Sequence, residues 1–227
     1  MIVAIIPARG GSKRIPRKNI KNFNGKPIIS WSILAAQKSG LFDEVVVSTD
    51  DDEIKIISES YGAIVPFIRP SNISDDYTPT APVIAHTVKE LDKLYQSVEY
   101  ACCIYPCSPL LLTSDLRKSF SIIKSTGEDF VYPVAEYPHP IYRAMRQSKE
   151  GKMEFIHPKY ELVGTQDLEK TYHDAGQFYW GKADAWRKLK KMHTDGIGMV
   201  IPSYRVVDID TEDDWKRAEL LSKLSPK

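Results

Sequence analysis

The sequence predicts an α/β fold, a Rossmann-like and mostly parallel sheet flanked by helices. Strand-like and helix-like segments alternate along the chain, the strands are short continuous apolar runs, and helix-capping residues follow several of them. A chain of 227 residues corresponds to one or two domains of about 150 residues each. Because no repeat or low-complexity tract interrupts it, we expect one domain over residues 1–227.

The first part of the chain contains four predicted strands, at residues 2–6, 44–48, 63–65 and 100–104. Pro27 begins the first helix, in which apolar residues follow at helical spacing. A run of acidic residues at 50–53 supplies the N-cap of the second helix, which Gly62 ends. Thr80 is predicted to cap a third helix that runs to about Tyr95.

The second part begins with a predicted helix over 114–125, ended by Gly127. The hydrophobic periodicity is weak over 135–175, so this stretch is interpreted as an inserted hairpin or arm for dimer contact or a second substrate. Other regular elements are predicted at residues 130–134, 177–180, 182–190, 198–201 and 206–209. Thr211 and Asp214 form a capping box at the start of the last helix.

The charge is unevenly distributed along the chain. The 31 basic and 30 acidic residues nearly cancel, but the first 42 residues contain no acid. The basic residues of this segment are Arg9, Lys13, Arg14, Arg17, Lys18, Lys21, Lys26 and Lys38. The other 185 residues hold 23 basic and 30 acidic residues, a formal charge of −7. The near-zero total argues against a dedicated nucleic-acid binder, which stays only as a remote alternative.

The chain ends and the cysteines predict a cytoplasmic protein without a membrane anchor. The apolar stretch at residues 1–6 is too short for a signal peptide or a membrane span. Cys102, Cys103 and Cys107 lie within six positions, which suits neither a disulfide framework nor a zinc site. We expect reduced and mostly buried thiols, with a nucleophilic Cys107 as the minor alternative.

A glycine-containing basic loop, residues 7–19, directly follows the first predicted strand. It therefore lies at the carboxyl end of that strand, where open α/β sheets bind ligands. Gly10 and Gly11 allow the backbone to approach a phosphate chain closely, and Arg9, Lys13 and Lys18 would neutralise a polyanion. Neither a Walker loop nor Gly-x-Gly-x-x-Gly occurs in the chain. The alternative is a solvated basic loop.

Asp208 and Asp210 are the candidate metal ligands. Residues two apart in a strand point to the same side, so a strand over 206–209 would present both carboxylates together. Such a pair beside a phosphate loop suits Mg²⁺ shared with the phosphates of a nucleotide. In the alternative interpretation Asp210 only helps to cap the last helix and Asp208 pairs with a lysine.

Four further polar segments follow predicted strands or precede helices. The loop after Arg69, with Asp75, Thr78 and Thr80, could contact a base or ribose. Segment 105–109 is stiffened by prolines, and segment 172–180 combines polar and aromatic residues. The binding candidates in these two segments are Tyr105, Cys107, Ser108, His173, Asp174, Gln177 and Tyr179. Residues 48–51 fit a helix cap as well as a ligand contact.

In this order the segments resemble the CMP-sialic acid synthetase family, whose members activate acidic nonulosonic sugars. The matching motifs are Pro-Ala-Arg-Gly-Gly-Ser-Lys at 7–13 with Pro16, Lys18 and Asn19, then Phe42-Asp43, residues 47–50, Arg69-Pro70, Ser108-Pro109 and residues 208–211. The resemblance implies a nucleotide-diphospho-sugar transferase fold and a homodimer. It also implies CTP, Mg²⁺ and an acidic sugar as the partners, with CMP-sugar and pyrophosphate as the products.

The sequence departs from the sialic acid enzymes where the family binds its sugar. It has Tyr-Pro-Cys-Ser-Pro at 105–109 and His-Asp-Ala-Gly at 173–176, which look like the pseudaminic acid branch. Sialic, legionaminic and 3-deoxy-octulosonic acid remain the alternative substrates. In the arm Gln166 stands near the point where relatives have a carboxylate-binding arginine, so Arg143 or Arg146 is expected to do that work.

The resemblance also implies individual roles. Arg9, Lys13, Lys18, Asp208 and Asp210 form the expected catalytic set, and Ala8, Gly10, Gly11, Ser12 and Asn19 shape the nucleotide loop. No residue stands out as the general base. His173 and the metal centre are both candidates.

Overall fold

The computed structural model describes residues 1–95 and 97–224, so Gln96 and 225–227 of the predicted domain lie outside the described residues. The strands are β1 (Ile2–Pro7), β2 (Asn22–Phe23), β3 (Lys26–Pro27), β4 (Glu44–Ser48), β5 (Tyr100–Ile104), β6 (Phe130–Glu136), β7 (Met145–Gln147), β8 (Met153–Phe155), β9 (Tyr172–Asp174), β10 (Phe178–Lys182) and β11 (Gly196–Val200). The helices are α1 (Ile28–Ser39), α2 (Asp52–Ser60), α3 (Thr80–Leu94), α4 (Thr113–Thr126), α5 (Ala183–Arg187) and α6 (Glu212–Leu224).

A seven-stranded sheet forms the centre of the fold, in the order β11-β6-β10-β5-β1-β4, with β9 paired to β6. Strands β1, β4, β5, β6 and β11 share one direction, and β9 and β10 run against them. The prediction of a mostly parallel sheet is confirmed. The carboxyl ends of β1, β4 and β5 lie side by side, which brings the loops that follow them together.

Helices cover both faces of the sheet. Ile6 and Cys102 belong to the apolar cluster on the face covered by α1, α2 and α4, and Ile5 and Cys103 to the cluster under α3 and α5. Neighbouring residues of one strand thus enter opposite clusters, as side chains in a strand alternate. Both faces are buried, which explains the continuous apolar runs.

A third apolar cluster joins the two ends of the chain. Ile15 and Phe23 from the N-terminal segment pack with Ile209, Trp215 and residue 218 from the C-terminal segment. The rings of Phe23 and Trp215 meet edge to face, with centroids 5.5 Å apart. This cluster places the basic loop beside the segment that contains Asp208 and Asp210.

Several element predictions are confirmed and others are wrong. Strands 44–48 and 100–104 match residue for residue. Residues 63–65 form only one bridge, between Ile64 and Val46. The regular element predicted at 182–190 is a shorter helix, Ala183–Arg187, and Pro79 rather than Thr80 is the N-cap of α3.

The strand predicted at 206–209 is also wrong. The segment is irregular and follows a 3-10 turn at Ser203–Arg205. It crosses the carboxyl edge of the sheet: the Arg205 carbonyl accepts a hydrogen bond from Gln177 beside β10, and the Ile209 carbonyl accepts one from Lys18 after β1. Ile209 is apolar because it packs in the third apolar cluster. An apolar residue between Asp208 and Asp210 therefore resembles the alternating pattern of a strand.

The predicted arm 135–175 contains the expected hairpin. Strands β7 and β8 pair antiparallel, while residues 135–136 end β6 and 172–174 form β9 of the main sheet. The excursion itself therefore spans 137–171. Across the described residues, no helix is both long enough and apolar enough to cross a membrane.

Candidate active site

The basic loop is tied to the start of α2. The Gly10 N–H donates to Asp50 (3.0 Å), and Arg17 donates two hydrogen bonds to Asp51 (2.5 and 2.9 Å). A Cβ on Gly10 would meet the Asp51 Oδ2 at 2.5 Å, so only glycine fits there. Asp51 also accepts from the Ile54 N–H, which caps α2. Arg17 lowers the pKa of Asp51.

A cavity of 520 Å³ opens behind this loop at the carboxyl edge of the sheet; we call it the basic cavity. Its polar lining comes from the basic loop, the loop after Arg69, the start of α3, residues 105–107 and Asp208. The lining includes the predicted nucleotide-binding residues Arg9, Ser12, Lys13, Lys18, Asn19, Arg69, Asp75, Thr78 and Thr80, with Arg14, Asp76, Tyr105, Cys107 and Asp208. Ala8 and Gly11 of the predicted nucleotide loop do not line the cavity. Ala8 is buried in the core, and a Cβ added to Gly11 would meet no atom within 4 Å apart from those of Gly11 and its chain neighbours.

Asp76 belongs to the predicted polar loop after Arg69, but the sequence assigned it no role of its own. Its carboxylate forms ion pairs with both Arg9 and Lys13. These contacts lower the pKa of Asp76. The two cations predicted to bind phosphate are thus held by a carboxylate that lines the same cavity. No local sequence pattern indicated an ion pair between Arg9 and Asp76, which are 67 positions apart.

Arg69 is a buried guanidinium with unused hydrogen-bonding capacity. It is 5% exposed, and its Nη2 lies 3.5 Å from Asp50 Oδ1. In the described structure its Nε and Nη2 have no hydrogen-bond partner. Burial lowers its pKa. Buried polar groups are normally paired, so a ligand acceptor in this cavity would satisfy Arg69.

The predicted nucleotide contacts Asp75, Thr78 and Thr80 form part of the rim of the basic cavity. The Asp75 carboxylate accepts from the Tyr77 and Thr78 backbone N–H groups and from the Thr78 hydroxyl. The Thr80 hydroxyl lies 3.1 Å from the Tyr105 hydroxyl. Asp75 therefore forms the turn that precedes α3, and Thr80 reaches Tyr105 rather than capping the helix.

Cys107 is a poor nucleophile in this setting. Its thiol donates to the Asn19 Oδ1 (3.3 Å), and burial raises the pKa of Cys107 to about 12. A thiol of this kind is neutral near pH 7. Burial likewise raises the pKa of Tyr105 to about 12, so its hydroxyl stays protonated.

A second cavity of 810 Å³ lies beside the first and is lined by tyrosines; we call it the tyrosine cavity. Its lining includes Tyr105, Tyr137, His173, Asp174, Tyr179, Ser203, Tyr204, Asp208, Asp214 and Arg217. The Asp174 carboxylate accepts from the Tyr179 hydroxyl (2.7 Å) and the Gly176 N–H (2.7 Å), and lies 2.6 Å from the His193 Nε2. These bonds hold the wall residues in fixed positions.

The two cavities share Tyr105, Gly176 and Asp208. Burial and the neighbouring Asp210 raise the pKa of Asp208. Asp210 is paired with Arg14 (2.6 Å) and, at 3.5 Å, with Lys18. Asp208 therefore stands where a ligand in one cavity would meet a ligand in the other.

The carboxylate pair fits Mg²⁺ by its donor chemistry. Mg²⁺ prefers oxygen ligands and is commonly held by one or two carboxylates together with substrate phosphates. Asp208 and Asp210 offer carboxylate oxygens, and among the described residues no group of three or more His, Cys, Asp or Glu could hold a metal on its own. A bound phosphate chain would supply further oxygen ligands.

Four predicted sugar-binding residues are not among the lining residues of either cavity. Gln177 is buried and donates to the Arg205 carbonyl (2.6 Å), and Ser108 donates to the Gln177 carbonyl (3.3 Å). Arg143 and Gln166 lie in the arm, where Arg143 contacts the hydroxyl of Thr165 (3.4 Å). The structure gives Gln177 and Ser108 positioning contacts instead.

Comparison with known proteins agrees with the predicted family. A family model described as "Cytidylyltransferase" matches residues 3–186. The chain is 41% identical to a pseudaminic acid cytidylyltransferase of Campylobacter jejuni, over 98% of this chain and 97% of that protein. It is 32% identical to a CMP-N,N'-diacetyllegionaminic acid synthase of Legionella pneumophila, over 99% and 97% of the two chains.

A solved structure shares the fold. The CMP:2-keto-3-deoxy-manno-octonic acid synthetase complexed with CTP superimposes with a TM-score of 0.73, at 14% identity and 98% coverage of both chains. The predicted fold class and family are both confirmed. The chain belongs to the cytidylyltransferase family.

Proposed function

We propose that the protein transfers CMP from CTP to a nine-carbon acidic sugar, most specifically pseudaminic acid, and releases pyrophosphate. The observation that carries this proposal is the position of Asp208, which lines both the basic cavity and the tyrosine cavity. The Campylobacter relative supports the choice of sugar, since it is similar over nearly its whole length. Sialic, legionaminic and 3-deoxy-octulosonic acid are the alternatives.

The basic cavity would bind CTP. Arg9, Lys13 and Lys18 would contact the triphosphate and stabilise the charge that develops on the pyrophosphate leaving group. Arg69 has free donors for an acceptor atom of the nucleotide. Because these cations line a cavity, the site fits a small polyanion better than a nucleic-acid backbone.

The reaction would occur where the cavities meet. The anomeric hydroxyl oxygen of the sugar attacks the α-phosphorus, the bond to pyrophosphate breaks with its electron pair going to pyrophosphate, and the hydroxyl proton passes to a base. Asp208 and Asp210 would hold Mg²⁺, which supplies positive charge against the phosphates. Tyr105 and Tyr179 would position the sugar, since catalysis of this type depends on alignment. His173 remains a candidate base.

A panel of acidic sugars tests the proposed substrate. Pyrophosphate release would be measured with CTP, Mg²⁺ and pseudaminic, legionaminic, sialic or 3-deoxy-octulosonic acid in turn. We expect the highest kcat/KM with pseudaminic acid. A higher value with another sugar would replace the proposed substrate and keep the reaction class.

Replacing Asp76 with asparagine should tighten CTP binding. The carboxylate pairs with Arg9 and Lys13, which must turn to the phosphates when CTP binds. Because an exposed ion pair is weak, the dissociation constant should fall by no more than about fivefold. Calorimetry without metal would measure it. Glu53→Gln is the control, because Glu53 pairs with Arg17 outside the cavity; weaker binding in Asp76→Asn would contradict the prediction.

We also propose a homodimer formed through the arm 137–171. The arm exposes apolar side chains, among them Met145, Met153, Ile156 and Leu162. We expect sedimentation to give twice the chain mass, and Met153→Glu with Leu162→Glu to halve it. Leu220→Glu, an exposed leucine of α6, should leave the mass unchanged. A monomeric natural protein would contradict this proposal.

We propose that the protein is located in the cytoplasm. The three cysteines are free thiols, which is typical of a reducing compartment such as the cytoplasm. No binding to nucleic acid is expected.

A further inference from the structure

The tyrosine cavity has an acidic lining that includes one arginine. Asp174, Asp208 and Asp214 contribute carboxylates, and Arg217 is the one lysine or arginine among the described lining residues. A sugar acid brings a further negative charge into this cavity. Because like charges repel, its carboxylate needs a cation close by. Arg217 is the cation in position to provide it.

Arg217 differs from the other arginines of the chain. All ten lie in the described residues, and nine of them make a hydrogen bond or an ion pair there. Among the described residues the guanidinium of Arg217 has neither, and its charge lies near enough to attract the Asp214 carboxylate. The arm arginines suggested by the family resemblance are engaged elsewhere, Arg143 with Thr165 and Arg146 with Glu154.

The structure also fixes where Arg217 stands. Trp215 and Ala218 anchor α6 in the third apolar cluster. Thr211 donates its N–H and hydroxyl to Asp214, which holds the start of the helix and occupies the Asp214 carboxylate. Arg217 therefore stands on an anchored helix, one turn after Asp214, and its guanidinium has no hydrogen-bond or ion-pair partner among the described residues.

We propose that Arg217 binds the carboxylate of the acidic sugar; this inference rests on the proposed function. A guanidinium can donate two parallel hydrogen bonds to a carboxylate. In a 2-keto sugar acid the carboxylate is attached to the anomeric carbon, whose hydroxyl is the nucleophile. Holding the carboxylate in the cavity that Asp208 shares would orient that hydroxyl toward the nucleotide. Arg217 is thus a substrate-binding and specificity-determining residue.

Steady-state kinetics of Arg217 variants test the inference. We expect Arg217→Ala to raise the KM for the sugar about 10- to 100-fold, because a hydrogen-bonded charge is lost. The KM for CTP should change less than about twofold. Arg217→Lys should recover part of the loss, since it keeps the charge but not the paired geometry. Lys216→Ala is the control and should match the natural protein, because Lys216 is next to Arg217 and forms an ion pair with Asp213.

A substrate lacking the carboxylate charge separates recognition from a structural effect. The methyl ester of the sugar should be a poorer substrate for the natural protein, and Arg217→Ala should cause no further loss with it. An equal loss with acid and ester, or an unchanged sugar KM in Arg217→Ala, would overturn the inference. A raised KM in Arg143→Ala alone would assign the carboxylate to the arm. Failure of the natural protein with every acidic sugar would instead reject the proposed function.

Discussion

Asp208→Asn should lower kcat by about 10³-fold, the size of effect seen when one electrostatic contact to a transition state is removed. Asp208 lines both cavities, and with Asp210 it would hold Mg²⁺. Asparagine keeps the shape of the side chain but removes its charge. The loss should therefore come from the chemistry and not from misfolding.

The metal dependence of CTP binding distinguishes this cause from others. In the natural protein Mg²⁺ should tighten CTP binding, and in Asp208→Asn it should have little effect. Asp213→Ala provides the control, because Asp213 is an exposed carboxylate of the same segment, at the start of α6. Turnover within about tenfold of the natural protein would contradict the assignment of Asp208.

Asp115→Ala should lower the free energy of unfolding by about 3–5 kcal/mol, because it leaves a buried arginine unpaired. Arg205 is 6% exposed and Asp115 8%, and the guanidinium donates to the Asp115 carboxylate. For a domain of this size, the midpoint temperature of thermal unfolding should fall by roughly 10 °C. Urea or thermal denaturation followed by circular dichroism would measure both quantities.

Two controls define the cause of that loss. Glu154→Ala breaks the exposed pair with Arg146 and should cost less than about 1 kcal/mol. Asp115→Leu combined with Arg205→Met removes both charges and should recover most of the stability. A cost below about 1 kcal/mol for Asp115→Ala would show that the buried pair contributes little.

The buried pair of Asp115 and Arg205 also affects the candidate active site. Arg205 begins the segment that leads to Asp208, and its carbonyl accepts the hydrogen bond of Gln177. The single substitution should therefore weaken activity at temperatures where the protein is still folded, since a small displacement of Asp208 misaligns the reacting groups.

Local patterns predicted most of the fold. Continuous apolar runs identified β4 and β5 to the residue, because strands buried on both faces leave that signal. The basic loop and Asp208 were predicted to meet, and both line the basic cavity. The place of a loop at a strand's carboxyl end follows from topology alone.

Long-range contacts explain what the sequence could not predict. The alternation around Ile209 imitated a strand, yet it comes from packing against Phe23 and Trp215. Asp76 reaches Arg9 across 67 positions, and Arg217 enters the tyrosine cavity from the last helix. Gln177 stands in a polar aromatic run but is buried against the Arg205 carbonyl. No local period or spacing marks such pairs.

The direct test of the proposed reaction is to identify its products by ³¹P NMR. The protein would be incubated with CTP, Mg²⁺ and pseudaminic acid, with samples lacking the sugar or the metal as controls. We predict equal amounts of pyrophosphate and of a phosphodiester that joins CMP to the sugar, and neither product when one component is absent. Pyrophosphate without the sugar, or CTP that stays intact with every acidic sugar, would contradict the proposed function.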